Sequence, residues 1–176
     1  MGSLAALVGT WLIARYWAPL FPLGISFYTF QALSYLIEIY WDEEPEDSLM
    51  DFTLYMLLFM KFLSGPIERG FDLLPQLKRA RRFDYDNVVY GMKLVVWGAF
   101  MKLVIADRIA PSLDTVFSNV QEASGIQLLV VTLIYPIQLY ADFAGYTLMA
   151  IGLGQMFGFR LSPNFDRPFV SLTTGE

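Results

Sequence analysis

The sequence predicts an all-α integral membrane protein with about five to six membrane segments. Three observations carry that expectation. Residues 126–159 run for 34 positions with Asp142 as the only charge. The chain of 176 residues is 56% hydrophobic and only 16% charged, with 15 Phe, 10 Tyr and 4 Trp. Soluble domains carry about 25% charged residues, so this composition falls in the membrane class. Finally, four further apolar segments alternate with loops of contrasting charge.

The same composition excludes several functions. A net charge of −5 and the lack of a basic stripe argue against nucleic acid as a partner. With no Cys there are no disulfides and no thiolate metal sites. With no His there is no imidazole base, proton shuttle or His-ligated metal in these residues. Chemistry here must use carboxylates, Lys, Tyr, Ser or Thr, or lie outside the chain. No metal site and no bound cofactor are expected.

In chain order, Leu4–Ala14 is too short to span and lacks a basic leader, so it reads as a helix tail or interfacial segment. Leu20–Trp41 has 22 residues and one charge, Glu38. Leu49–Pro66 carries Lys61 and has acids about its start. Val88–Ala106 carries Lys93 and Lys102. The run 126–159 would be about 51 Å long as one helix, against a hydrocarbon core of about 30 Å. A break at Pro136 or Ala144-Gly145 is therefore expected, with Asp142 at membrane depth beside it. An ionisable group at that depth is costly and marks a functional site.

Lys and Arg set the expected orientation. Loop 42–51 has six acids and no base, whereas loop 67–87 has Arg69, Lys78, Arg79, Arg81 and Arg82. Loop 67–87 is expected to be cytoplasmic, with 42–51 and 107–124 on the opposite side. Lys93 and Lys102 lie about 13.5 Å apart along a helix and can snorkel to different interfaces, and Lys61 to the cytoplasmic boundary. The cluster 78–82 is a topology signal that would sit against anionic head groups.

Two polar stripes run inside the apolar segments. Gln31, Ser34 and Glu38 share one helical face, and Tyr135, Gln138, Asp142 and Tyr146 share another. Facing stripes would line a polar tunnel, while interhelical hydrogen bonding is the plainer alternative. Gly154 and Gly158 have GxxxG spacing, a weak packing signal. Ser162-Pro163-Asn164-Phe165-Asp166-Arg167-Pro168 interrupts helix formation and makes Asn164, Asp166 and Arg167 available at an interface.

Three stretches together carry a likeness: Pro22-Leu23-Gly24-Ile25-Ser26-Phe27-Tyr28-Thr29-Phe30-Gln31; Ser64-Gly65-Pro66-Ile67-Glu68-Arg69 with Leu74-Pro75-Gln76-Leu77; and Tyr140-Ala141-Asp142-Phe143-Ala144-Gly145-Tyr146 through Phe157-Gly158-Phe159 to Asn164-Phe165-Asp166-Arg167-Pro168-Phe169. In this order, over residues 20–172, the chain resembles the membrane-bound O-acyltransferase (MBOAT) family, in its alginate O-acetyltransferase-like branch. Trp97-Gly98-Ala99-Phe100-Met101-Lys102 and Ile105-Ala106-Asp107-Arg108 fit the same branch.

The resemblance implies one transmembrane domain, a partial helical ring around a tunnel, in a multi-pass protein of the bacterial inner membrane. It implies transfer of an acyl group, usually acetyl, from a cytoplasmic donor to hydroxyls of an extracytoplasmic polysaccharide such as alginate. The donor is a co-substrate. The lipid bilayer, the acceptor glycan and the proteins of an exopolysaccharide acetylation complex are the implied partners. In the family a Trp/Arg-rich stretch with the catalytic His follows the Asn-Phe-x-Arg-Pro segment, which places it beyond Glu176. The expectation is therefore a fragment, inactive alone, with no catalytic residue among these 176. Gln31, Glu38, Gln138, Asp142, Tyr146, Asn164, Asp166 and Arg167 are the candidate tunnel or supporting residues. A transporter or channel subunit, or a non-catalytic scaffold that binds partner proteins, are the alternatives.

Overall fold

A computed structural model describes residues 9, 11, 25–41, 44–61, 65–165 and 169. These residues form five α-helices and no strand: α1 (Ile25–Tyr40), α2 (Leu49–Met56), α3 (Gly70–Leu77), α4 (Tyr85–Ser118) and α5 (Gly125–Met156), with a 3₁₀ turn at Phe59–Lys61. Of these, α4 and α5 are long and apolar enough to cross a membrane. The all-helical expectation holds, and the count of long apolar helices among the described residues is two.

The helix starts follow from local chemistry. Ser48 caps α2 by accepting from the Asp51 N–H at 3.2 Å. Asp84 caps α4 through the Asp86 and Asn87 N–H groups. Ser124 and Gln127 form a reciprocal capping box on α5. Each satisfies N–H groups that a helix start leaves orphaned.

α5 corrects the expectation of a break. It runs for 32 residues straight through Pro136 and Ala144-Gly145. Pro136 removes one backbone bond, a loss that apolar helices absorb. Gly145 serves close packing instead, as described below. α5 ends where Gly158 adopts φ +77°. The Phe159 N–H then bonds the Gly154 carbonyl at 2.8 Å and the Gly158 N–H bonds Gln155. Gly158 is the left-handed residue of this cap, and a Cβ on Gly154 would meet the Leu161 side chain at 2.9 Å, so neither glycine packs one helix on another.

The segment 49–66 does not make one crossing helix either. α2 stops after eight residues, about 12 Å of rise. The Tyr55 carbonyl near its end is taken by the side chains of Gln31 and Lys61, both at 3.0 Å. Lys61 is thus buried in the protein and does not snorkel. Lys78 of the basic loop meets Glu46 of the acidic loop at 2.7 Å. The two loops therefore lie together, correcting their assignment to opposite sides.

α4 and α5 pack antiparallel along much of their length, and α1, α2 and α3 form a second group. Tyr55, Leu58, Met60, Leu73, Leu74 and Leu161 make the core of that group. Phe59 stacks edge-on against Phe157 at 5.8 Å and Glu68 binds Ser162, joining it to the end of α5.

Candidate functional site

The α4–α5 pair is brought together by glycine. Gly91 faces Gly152 and Gly98 faces Gly145, two contacts seven residues apart on each helix. Seven residues are two turns, so both contacts fall on one seam. A Cβ on Gly98 would sit 2.5 Å from the Gly145 carbonyl oxygen and 2.9 Å from the Met149 nitrogen. Only glycine lets the backbones come this near.

One turn beyond that crossing lies a charged cluster. Lys102 Nζ sits 2.5 Å from Asp142 Oδ1 and 2.7 Å from Asp107 Oδ1. The contact to Asp142 is an ion pair, with no further hydrogen bond to that oxygen. Lys102 also lies over the Tyr146 ring, 5.2 Å from its centroid. The helix itself explains how one lysine reaches both acids. In an α-helix, residues five apart point about 140° away from one another. Phe100–Ala106 is instead a π-helical stretch, and the Asp107 N–H bonds the Lys102 carbonyl. That wider turn rotates Asp107 onto the Lys102 side. Pro111, inside the same helix, cannot donate to the Asp107 carbonyl, which favours irregular winding here.

Lys102 is therefore not a snorkelling residue. It neutralises Asp142, so Asp142 is held as a charge partner and not as a free base. Thr147, buried on the next turn, accepts from the Asn164 side chain at 3.0 Å. This ties the segment after α5 back onto the helix. Gln138 is half-buried on α5, one turn before Asp142. Asp166 and Arg167 lie outside the described residues.

The α1 stripe builds a different polar cluster. Gln31 and Glu38 are 5% and 8% exposed. Glu38 accepts from the Gly70 N–H at 2.9 Å and from the Ser34 hydroxyl at 3.4 Å. Tyr55 donates its hydroxyl to the Glu68 carbonyl at 2.8 Å. The Glu68 carboxylate accepts from the backbone N–H and hydroxyl of Ser162. Burial pushes the Glu68 carboxyl above its ordinary range, and the Ser162 hydrogen bonds and the Lys61 charge work against that. Lys61 lies over the Tyr55 ring, 4.4 Å from its centroid. An open groove of about 500 Å³, lined in part by Ser34, Glu38, Trp41 and Arg69, runs beside this cluster.

The two stripes are not brought face to face. Among the described residues α1 packs on α2 and α3, and not on α5. Gln31 and Glu38 belong to one network, and Asp142 and Tyr146 to the other. Sequence reasoning missed Asp107, Glu68 and Ser162 and misread Lys61 and Lys102. Pro111 four residues after Asp107 was a usable hint of helix irregularity. Nothing in the sequence joins Glu68 to Ser162, 94 positions away.

No family model matches the chain. Curated relatives do. The chain is 39% identical over 158 residues to the probable alginate O-acetylase AlgI of Azotobacter vinelandii, covering 89% of the chain and 31% of that protein. It is 39% identical to the protein of the same name from Pseudomonas aeruginosa, covering 89% and 30%. It is 32% identical over 178 aligned positions to the peptidoglycan O-acetyltransferase of Helicobacter pylori, covering 86% and 34%. The chain spans about a third of the length of the curated relatives it matches. With this identity running through both the glycine-packed pair and the α1–α3 group, the chain is a homologue, over most of its own length, of part of the alginate O-acetylases.

Proposed function

We propose that this chain is a membrane-embedded part of an O-acyltransferase that places acetyl groups on hydroxyls of an extracytoplasmic polysaccharide. The 39% identity to alginate O-acetylases over 89% of the chain carries the reading. The surface of α4 and α5 supports the location. Only 17% and 22% of their most apolar stretches are buried against protein, which leaves those faces for lipid. At 32 residues, α5 rises about 48 Å, and its excess over the hydrocarbon core is taken up by tilt and overhang. In a bacterium this bilayer is the inner membrane, with the protein multi-pass.

In the reaction, the acceptor hydroxyl oxygen attacks the acyl carbonyl carbon, and the donor's leaving group departs with the proton. A hydroxyl needs a base poised near neutrality. These 176 residues contain no His, and Asp142 is occupied by Lys102, so neither an imidazole nor a free Asp142 carboxylate serves as that base here. The chain contributes walls. The Lys102–Asp107–Asp142–Tyr146 cluster and the Gln31–Glu38 cluster give polar groups beside an apolar exterior, with Gln138 one turn before Asp142 and Asn164 bonded to Thr147. The acyl donor and the proteins of an exopolysaccharide acetylation complex are its co-substrate and partners.

The test is deletion of the whole gene and its replacement by Asp142→Asn or Lys102→Met alleles. Carbonate-washed membranes should retain the protein, and ester-linked acetate on the cell's polysaccharide should disappear on deletion and fall in the two variants. Unchanged acetate after deletion overturns the reading.

A further inference from the structure

A second charged feature stands apart from both polar clusters, at the end of the α4–α5 pair where α4 begins and α5 finishes. Gln76, Arg79, Arg81, Arg82, Gly158 and Arg160 line an open groove of about 480 Å³ there. With Ala80 the lining comprises seven residues, four of them arginines, and none of the four forms an ion pair among the described residues.

The groove is built from two segments held together deliberately. The Gln76 amide donates to the Arg160 carbonyl at 3.1 Å and accepts from the Arg160 N–H at 2.9 Å, joining positions 84 apart. Arg81 is fixed in place. It donates to the Gln76 carbonyl at 2.7 Å and stacks on Phe159 at 4.2 Å. Gly158 lies on the floor in a left-handed conformation, φ +77°, that a side chain would strain. A guanidinium already anchored gives up little freedom on binding, and its planar fork suits phosphate oxygens. Like charges with no ion-pair partner among the described residues favour an anion.

We infer that this groove is a binding site for the phosphate of an anionic phospholipid headgroup. The lipid, rather than a soluble phosphate compound, follows from position. The groove sits at the mouth of the two apolar helices, and Phe83, Tyr85 and Phe157 around it are 82%, 70% and 54% exposed. Exposed aromatics at the ends of apolar helices mark the depth of the headgroups, and arginines there attract anionic lipid. The site would hold that end of α4–α5 at a fixed depth. It rests on the membrane location proposed above.

The full-length protein in non-ionic detergent is titrated with dihexanoyl phosphatidylglycerol, dihexanoyl phosphatidylcholine and inorganic phosphate, and the ligand concentration for half-maximal thermal stabilisation is recorded. Phosphatidylglycerol should act at a concentration roughly tenfold or more below the other two, and 0.5 M salt should remove the difference. Arg81→Gln with Arg160→Gln should weaken phosphatidylglycerol roughly tenfold, as should the separate pair Arg79→Gln with Arg82→Gln, while Arg108→Gln should leave it unchanged. Equal action of the two lipids, or full affinity in both arginine pairs, overturns the site. Inorganic phosphate as effective as phosphatidylglycerol overturns the lipid and points to a soluble anion. Loss of the protein from carbonate-washed membranes would instead defeat the membrane location, which this titration does not measure.

Discussion

Gly98 and Gly145 meet across the α4–α5 seam with no room for a side chain on either: a Cβ on Gly145 would lie 2.8 Å from the Gly98 carbonyl oxygen and 3.0 Å from the Lys102 nitrogen. The obstructing atoms are backbone, so neither helix can yield without moving as a whole. Each of Gly98→Ala and Gly145→Ala should destabilise the pair by about 1–3 kcal/mol, and Leu at either position by more. Gly125→Ala, where a Cβ meets nothing within 4 Å, should be near neutral. Denaturation midpoints in detergent measure the difference. A tolerated Gly98→Leu would refute the seam.

The Lys102 ammonium serves two carboxylates, so removing it leaves both without a counter-charge. Lys102→Met should cost about 1–3 kcal/mol, below the range for fully buried pairs because Asp107 and Asp142 keep contact with the surroundings. Combining it with Asp142→Asn should recover part of the loss. A double-mutant cycle is the measurement, with a coupling of roughly 0.5–3 kcal/mol expected. Strict additivity would mean that the contact contributes nothing.

Glu46 and Lys78 join loops that charge counting alone puts on opposite sides. In this Cys-free chain, Glu46→Cys and Lys78→Cys should both react with an impermeant maleimide from one face of sealed vesicles. Labelling from opposite faces would restore the alternating arrangement. The pair also has a pH signature. The Lys78 hydrogen bond, and after it the Ser48 N–H, holds the Glu46 carboxyl below its usual 4.5. A depressed acid stabilises the fold above the unfolded value and loses that effect as pH falls through the folded one. The difference in melting temperature between the native protein and Glu46→Gln should therefore be full near neutrality and vanish on acidification below about 4.5.

Glu68 joins the α1–α3 group to the chain after α5 through Ser162. Glu68→Ala would remove from a buried position the acceptor of both the Ser162 N–H and the Ser162 hydroxyl, and should cost about 1–3 kcal/mol for the two hydrogen bonds. Glu68→Gln keeps an acceptor and sheds a charge that burial disfavours, so it should be well tolerated. Comparing the two by chemical denaturation separates the hydrogen bond from the charge. Equal losses would show that the charge itself is needed.

From the residues alone, the helical class, the apolar character of 126–159, the inward face of Gln31, Ser34 and Glu38, and the likeness to O-acyltransferases were all legible. These depend on composition, on a 3.6-residue period and on motif order, which are properties of the chain itself. The tertiary structure decided the rest. It kept α5 whole through Pro136, ended α2 early because side chains from elsewhere take the Tyr55 carbonyl, and set Glu46 beside Lys78. It also wound one turn of α4 wide enough for Lys102 to reach both Asp107 and Asp142. A lysine's partners, and whether a glycine bends a helix or packs it, depend on atoms distant in the chain, and no local pattern encodes their approach.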